Sequence, residues 1–170
     1  EIIEVEIECA PKELPELNSK KYSDFSPFVF GETFYFTSAR EFDKFNYGEN
    51  NWKNAGYLNI FKGKIKGDVN ADLEVKDIEI VSNKLMADNH TGPLCLSATG
   101  DTMFFTQVTT ISKKNRKRKE KFRPQLFMSI KEGKKWTTPE PLPFNDEKFS
   151  FGHPSYDSKN QRLYFASDLN

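Results

Sequence analysis

The chain has 170 residues, 25 Lys and Arg set against 25 Asp and Glu, and 14% aromatic residues, among them 16 Phe. A formal net charge of zero gives no general attraction to nucleic acid or to an anionic membrane surface, and so aromatic a composition is not that of a disordered chain. Nor is there a run of about 18 apolar residues, the length that a membrane-spanning helix needs.

In chain order the pattern is one of strands. EIIEVEIE (1–8) sets Ile3, Val5 and Ile7 on one face and Glu4, Glu6 and Glu8 on the other, the period of two of a half-buried strand. FVF (28–30), Gly31 and TFYFTS (33–38) predict a hairpin, and GYLNIFKGKIKG (56–67) and LEVKDIEIVS (73–82) predict two further strands. PLCLS (93–97) and TMFFTQVTT (102–110) predict a second hairpin, followed by strands over 125–131 and 135–142. HPSY (153–156) and RLYFAS (162–167) predict a third hairpin. No window of about 11 residues keeps a 3.6-residue apolar period, so the fold class is all-β.

The chain repeats itself. Asn18 and Asn145 each stand nine residues before a proline, Pro27 and Pro154, with an aromatic-Ser pair at the same offset; Asn83 leads to Pro93 with one residue more. After each proline comes a hairpin whose second strand carries Tyr35-Phe36-Thr37, Phe104-Phe105-Thr106 or Tyr164-Phe165-Ala166. Such aromatic runs, apolar at successive positions, suit strands buried on both faces. Four-stranded antiparallel units in series are the blades of a propeller. The expected organisation is an N-terminal strand and linker over 1–16 with a role in closing the ring, blades over 17–82 and 83–144, and the first hairpin of a further blade over 145–170. The chain starts without Met and reads as a piece of a longer protein. Two blades and a hairpin leave apolar faces open, so further sectors are expected to be needed for stability.

The hairpins SYDSKNQRLYFASD (155–168), LSATGDTMFFTQ (96–107) and FVFGETFYFTS (28–38) resemble the TolB-type, WD-repeat-like propeller unit. The junction GKKWTTPEPLPFNDEKFSFGHPSYD (133–157) is similar to that of periplasmic OmpA-family proteins associated with type IX secretion and gliding. The resemblance implies a non-catalytic scaffold for protein–protein interaction, periplasmic and associated with the outer membrane. The wider protein would be peptidoglycan-associated, anchoring a secretion or gliding complex and meeting cell-wall glycan through a domain outside this chain. The alternative is a propeller enzyme acting on glycans or peptides.

The chemistry-bearing residues favour the scaffold. No Gly-x-Ser-x-Gly elbow, phosphate loop or paired metal spacing occurs, so no catalytic, cofactor or metal residues are assigned. Asp146 and Glu147 are adjacent and project apart. His90 and His153 are read as backbone-bonded residues at the inner edge of each blade, and Trp136 as packing between blades. Cys9 and Cys95 are read as two buried thiols, with a disulfide as the other possibility. Candidate partner-binding residues lie in two insertions, each between the second and third strands of a blade. One carries Phe42, Phe45, Tyr47 and Trp52, suited either to a partner's hot spot or sugar face or to a small core within the loop. The other, SKKNRKRKEKFR (112–123), carries Lys113, Lys114, Arg116, Lys117, Arg118 and Lys119; it is either a solvated loop or a surface for an acidic partner or anionic glycan. It has no aromatics among its cations to stack bases, so nucleic acid is not an expected partner.

Overall fold

A computed structural model describes residues 13–17, 21–41, 56–67, 73–87, 89–111 and 121–169. Among them it has eleven strands and one 3-10 turn, Asn83–Leu85, in three antiparallel sheets. The first sheet runs in chain order through β1 (Asp24–Phe30), β2 (Thr33–Ser38), β3 (Asn59–Lys66) and β4 (Glu74–Ile80). The second runs through β5 (Thr91–Leu96), β6 (Thr102–Ile111) and β7 (Lys121–Glu132); β8 (Lys135–Trp136) and β9 (Glu140–Pro141) both pair with β7. The third is the hairpin of β10 (Phe151–Asp157) and β11 (Arg162–Ser167). None of these sheets is closed. β5 packs on β1, β2 and β3, and β10 packs on β5, β6 and β7, so the sheets stand in series, each led by its own first strand.

The expected all-β class and the antiparallel pairing are those of the structure. The fourth strand expected over 135–142 is broken in two. Thr137 interrupts it: its backbone N–H donates to Ile130 O at 2.8 Å while its Oγ1 accepts from Ile130 N at 3.0 Å, and Pro139 has no N–H to continue the ladder.

The aromatic runs of β2 and β6 pack on both faces, as such sequences require, whereas Tyr164 and Phe165 of β11 are exposed. Tyr35 and Ile60 on one face of the first sheet share a core with Leu94, Leu96, Met103, Phe105 and Trp136 of the second. Phe36 and Phe61, on the opposite face, pack with Val75, Ile80 and Leu17. Leu126, with Phe104 and Met128 beside it, meets Phe151 of the third sheet. Trp136 thus lies between the first two sheets, as expected, 6% exposed.

Each first strand carries the same irregularity. The pairing shifts between Phe25 and Phe28, between Thr91 and Leu94, and between Gly152 and Ser155. Two residues in each bulge oppose one on the partner: Ser26-Pro27, Gly92-Pro93 and His153-Pro154. The first of each pair has positive φ, 54°, 112° and 55° respectively. Within the described sheets β1, β5 and β10 pair on one side only, and a proline and a bulge on such an edge deter pairing with a foreign strand. The bulge faces the second aromatic in the outer two units (Phe36, Phe165) and Thr106 in the middle one, which accommodates the extra residue before Pro93.

The junctions between sheets also repeat. Thr37 of β2 packs against Gly92 of β5; a Cβ on Gly92 would lie 2.4 Å from Thr37 Oγ1. Thr106 of β6, the corresponding residue, packs against Gly152 and accepts from His153 N at 3.0 Å. The hydrogen bonds Ala39 N to Ser23 O (3.2 Å) and Val108 N to His90 O (2.9 Å) fix the same correspondence at the strand ends. Asn145 has a different role from Asn83: its side-chain amide brackets Leu126, accepting from its N at 3.1 Å and donating to its O at 2.7 Å, whereas Asn83 begins the 3-10 turn after Ser82.

Candidate functional site

The connections between β2 and β3 and between β6 and β7 leave corresponding ends of neighbouring sheets. Phe42, Phe45, Tyr47, Trp52, Lys113, Lys114, Arg116, Lys117, Arg118 and Lys119 all lie outside the described residues, as does Cys9. What the structure does place is the pair of stems and the ground between them.

At the first junction this ground is filled. His90 Nδ1 accepts from Leu58 N at 3.2 Å, and the ring stands edge-on to Tyr57 at 5.2 Å between centroids. That is the backbone bond expected of the imidazole. The second histidine differs: the His153 side chain is exposed and the residue acts through its backbone N–H on Thr106. The reason is positional. By the register of the junctions the counterpart of His90 is Ser150, and the counterpart of Leu58 is Pro124, which has no N–H to offer. With both plugging groups replaced by smaller ones, the second junction holds a cleft of about 290 Å³ lined by Thr106, Pro124, Ser150, Gly152, His153 and Ser167, with Asp168 at its rim.

Asp168 is committed within the fold. Its Oδ1 accepts from Ser150 N at 2.6 Å, and Arg123 Nη1 lies 3.6 Å from its Oδ2. The Ser150 backbone N–H holds this carboxyl below its usual range, with Arg123 a smaller contributor. The group staples the end of the last hairpin where Ala39–Ser23 and Val108–His90 backbone bonds close the other two. Asp157 is likewise a turn residue: the Asn160 side chain and backbone donate to it and lower its pKa. Asp146 caps its own turn by accepting from Lys148 N at 2.8 Å. Among the described residues no cluster of three or more His, Cys, Asp or Glu could hold a metal ion, and no helix is long and apolar enough to cross a membrane.

Cys95 is a buried thiol whose pKa burial pushes up to about 12, against a weaker opposing backbone hydrogen bond from Tyr156. Raised in the folded state, this pKa contributes stability below the ordinary thiol value of 9.0 that is lost as the pH climbs towards 12. Peptide mapping after iodoacetamide treatment at pH 8 is expected to find Cys95 unmodified in the folded chain and modified in urea. Rapid labelling of Cys95 without denaturant would contradict its placement.

No protein-family model matches the chain, and no curated protein or solved structure is significantly similar to it. The class established by the fold is that of an all-β protein of serial antiparallel sheets.

Proposed function

We propose that the chain is a sector of a β-propeller, two blades and the first hairpin of a third, serving as a non-catalytic scaffold for protein–protein interaction. The observation that carries the ring is the repeated junction. The same threonine of the second strand meets the bulged first strand of the next unit twice, and all three first strands have a positive-φ residue before proline. A constant junction between like units generates a regular array, and four to eight four-stranded units close such an array into a propeller.

The scaffold reading adds the two connections. The stems of both leave corresponding ends of adjacent sheets, and their sequences supply the aromatic residues Phe42, Phe45, Tyr47 and Trp52 and the cations Lys113 to Lys119. Aromatic anchors together with a basic run suit a protein partner with an apolar pocket and an acidic rim. In keeping with the sequence resemblance, we place the protein in the periplasm, within a peptidoglycan-associated OmpA-family protein that anchors an outer-membrane secretion or gliding complex.

The test is capture of partners by the whole protein in its native cells. Replacing the four loop aromatics by serine is expected to reduce co-purifying outer-membrane proteins at least tenfold, and neutralising Lys113–Lys119 to make the remaining capture insensitive to salt. Undiminished capture by both variants refutes the scaffold assignment. Turnover of a glycan or peptide by the wild-type protein would establish the enzymatic alternative instead.

A further inference from the structure

Leu58 is the last residue of the connection between β2 and β3, and both of its backbone groups are held by the second sheet. Its N–H donates to His90 Nδ1 at 3.2 Å, and its O accepts from Thr91 N at 2.8 Å. The pairing of β2 with β3 stops one residue short of it, at Ser38 and Asn59, so the ladder of its own sheet does not supply these bonds. The stem of the other connection is built differently. There β6 and β7 stay paired as far as Ile111 and Lys121, and Pro124 stands where Leu58 does. One stem hangs on an imidazole and the other on a backbone ladder.

A backbone N–H only donates, so Nδ1 of His90 is the bare nitrogen of a neutral ring whose proton sits on Nε2. A second proton goes to Nδ1, and two donors then face each other. We propose that His90 is a pH-operated latch: neutral, it holds Tyr57 and Leu58 on the second sheet, and protonated, it lets them go. The bond is present at neutral pH and is lost as the pH falls through the range in which imidazoles take up a proton, around 6.5. Tyr57 is the titratable side chain against the ring, at 5.2 Å between centroids; the residues that meet His90 through backbone bonds, Leu58 and Val108 of β6, are apolar. Among the described residues no carboxylate forms an ion pair with it. Asp88, two positions earlier, lies outside the described residues. An aromatic ring attracts an imidazolium, but that attraction leaves the Leu58 N–H without an acceptor. The release is local, because the core that joins the first two sheets, Tyr35 and Ile60 with Leu94 and Phe105, does not include the ring. The inference stands on a junction between two sheets that the chain contains and needs neither a closed ring nor a partner. What acid frees is the exit stem of the connection whose sequence carries Phe42, Phe45, Tyr47 and Trp52; a consequence for partner capture rests on the scaffold reading, the latch itself does not.

Hydrogen exchange of the whole protein at about pH 7.5 and about pH 5, corrected for intrinsic exchange rates and read by mass spectrometry, tests it. The peptide containing Leu58 is expected to lose protection at least about fivefold on acidification, while the β6–β7 stem keeps its own. His90→Asn, whose Oδ1 takes the place of Nδ1 and does not titrate, should retain protection at both pH values, and His90→Ala should lack it at both. Asp88→Asn and His153→Ala should respond as wild type does. At neutral pH the ring-nitrogen NMR shifts of His90 should be those of the Nε2–H tautomer. If His90→Ala loses its circular dichroism, the comparison of wild type with His90→Asn decides. Protection at Leu58 that acid leaves unchanged, equal losses in the two stems, or an Nδ1–H tautomer overturns the proposal. So does a response that persists in His90→Asn or disappears in Asp88→Asn or His153→Ala.

Discussion

Gly92→Ala is expected to lower the unfolding free energy by about 4 kcal/mol, while Gly152→Ala, at the corresponding place in the next junction, costs only about 1 kcal/mol. Two separate penalties fall on Gly92. Its φ of +112° lies in the region that side chains rarely adopt, and an added Cβ would come within 2.4 Å of Thr37 Oγ1 and 2.8 Å of its Cγ2. Gly152 carries neither in full: it is not among the residues with positive φ, and its Cβ would stand 3.3 Å from Thr106 Cγ2, close enough to require a small adjustment. The two penalties at Gly92 separate in a double-mutant cycle. Thr37→Ala removes both colliding atoms, together with a buried hydroxyl that finds no hydrogen-bond partner in the structure. In that background Gly92→Ala should retain only the conformational cost, about 1–3 kcal/mol. Urea unfolding at one low protein concentration measures all four chains. Equal effects at Gly92 and Gly152, or no rescue by Thr37→Ala, would mean that the first junction is not as close as described.

Much of this junction was visible in the sequence, though not its register. The strands at 33–38 and 162–167 have the expected bounds, because a hairpin turn precedes each and an unbroken aromatic run identifies it. The first strands start earlier than expected: Asp24 rather than Phe28, Thr91 rather than Pro93, Phe151 rather than His153. In each case proline is read as the boundary of a strand, since it removes a donor from the ladder. Here it lies in a bulge on a strand paired on one side only, where the lost donor costs little. The same bulge hides the correspondence of the histidines. His90 stands three residues before Pro93 and His153 one before Pro154, and with the bulge shifted by one pair in the middle unit as well, the two fall three positions apart in the junction. Only the paired register identifies Ser150 and Pro124 as the residues that open the cleft. The partner-facing connections present a different case. Their composition is legible, but neither the basic run nor the loop of mixed aromatic and Asn residues carries an apolar period from which an element can be read, and both lie outside the described residues.

Arg40→Ala is expected to destabilise the chain by about 3 kcal/mol, and Arg40→Lys by most of that amount. Arg40 follows β2 and ties the turn before the first sheet to the sheet itself. Its Nη2 donates to Asp24 Oδ1 at 2.9 Å and to Leu17 O at 3.2 Å, its Nη1 to Glu16 O at 3.3 Å, and its Nε to Ser38 Oγ at 3.1 Å. The guanidinium also lies 4.7 Å from the centroid of Phe36 and 5.8 Å from that of Phe61. A planar fork can make these bonds while lying over a ring; an ammonium cannot, which is why lysine is a poor substitute. The ion pair is largely shielded, with 12% of the Arg40 side chain and 14% of the Asp24 side chain exposed, so removing the cation strands a buried carboxylate. Asp24→Asn should therefore cost less in the Arg40→Ala background than in wild type, because there it removes an uncompensated charge instead of breaking a pair. Hydrogen exchange gives the local counterpart. The Leu17 N–H, bonded to Leu14 O at 2.8 Å, should lose protection in Arg40→Ala while the β6–β7 ladder exchanges at a rate that follows global stability alone. Uniform loss of protection across all three sheets, or a destabilisation under about 1 kcal/mol, would assign Arg40 to the surface rather than to the clamp that holds residues 14–17 on the first sheet.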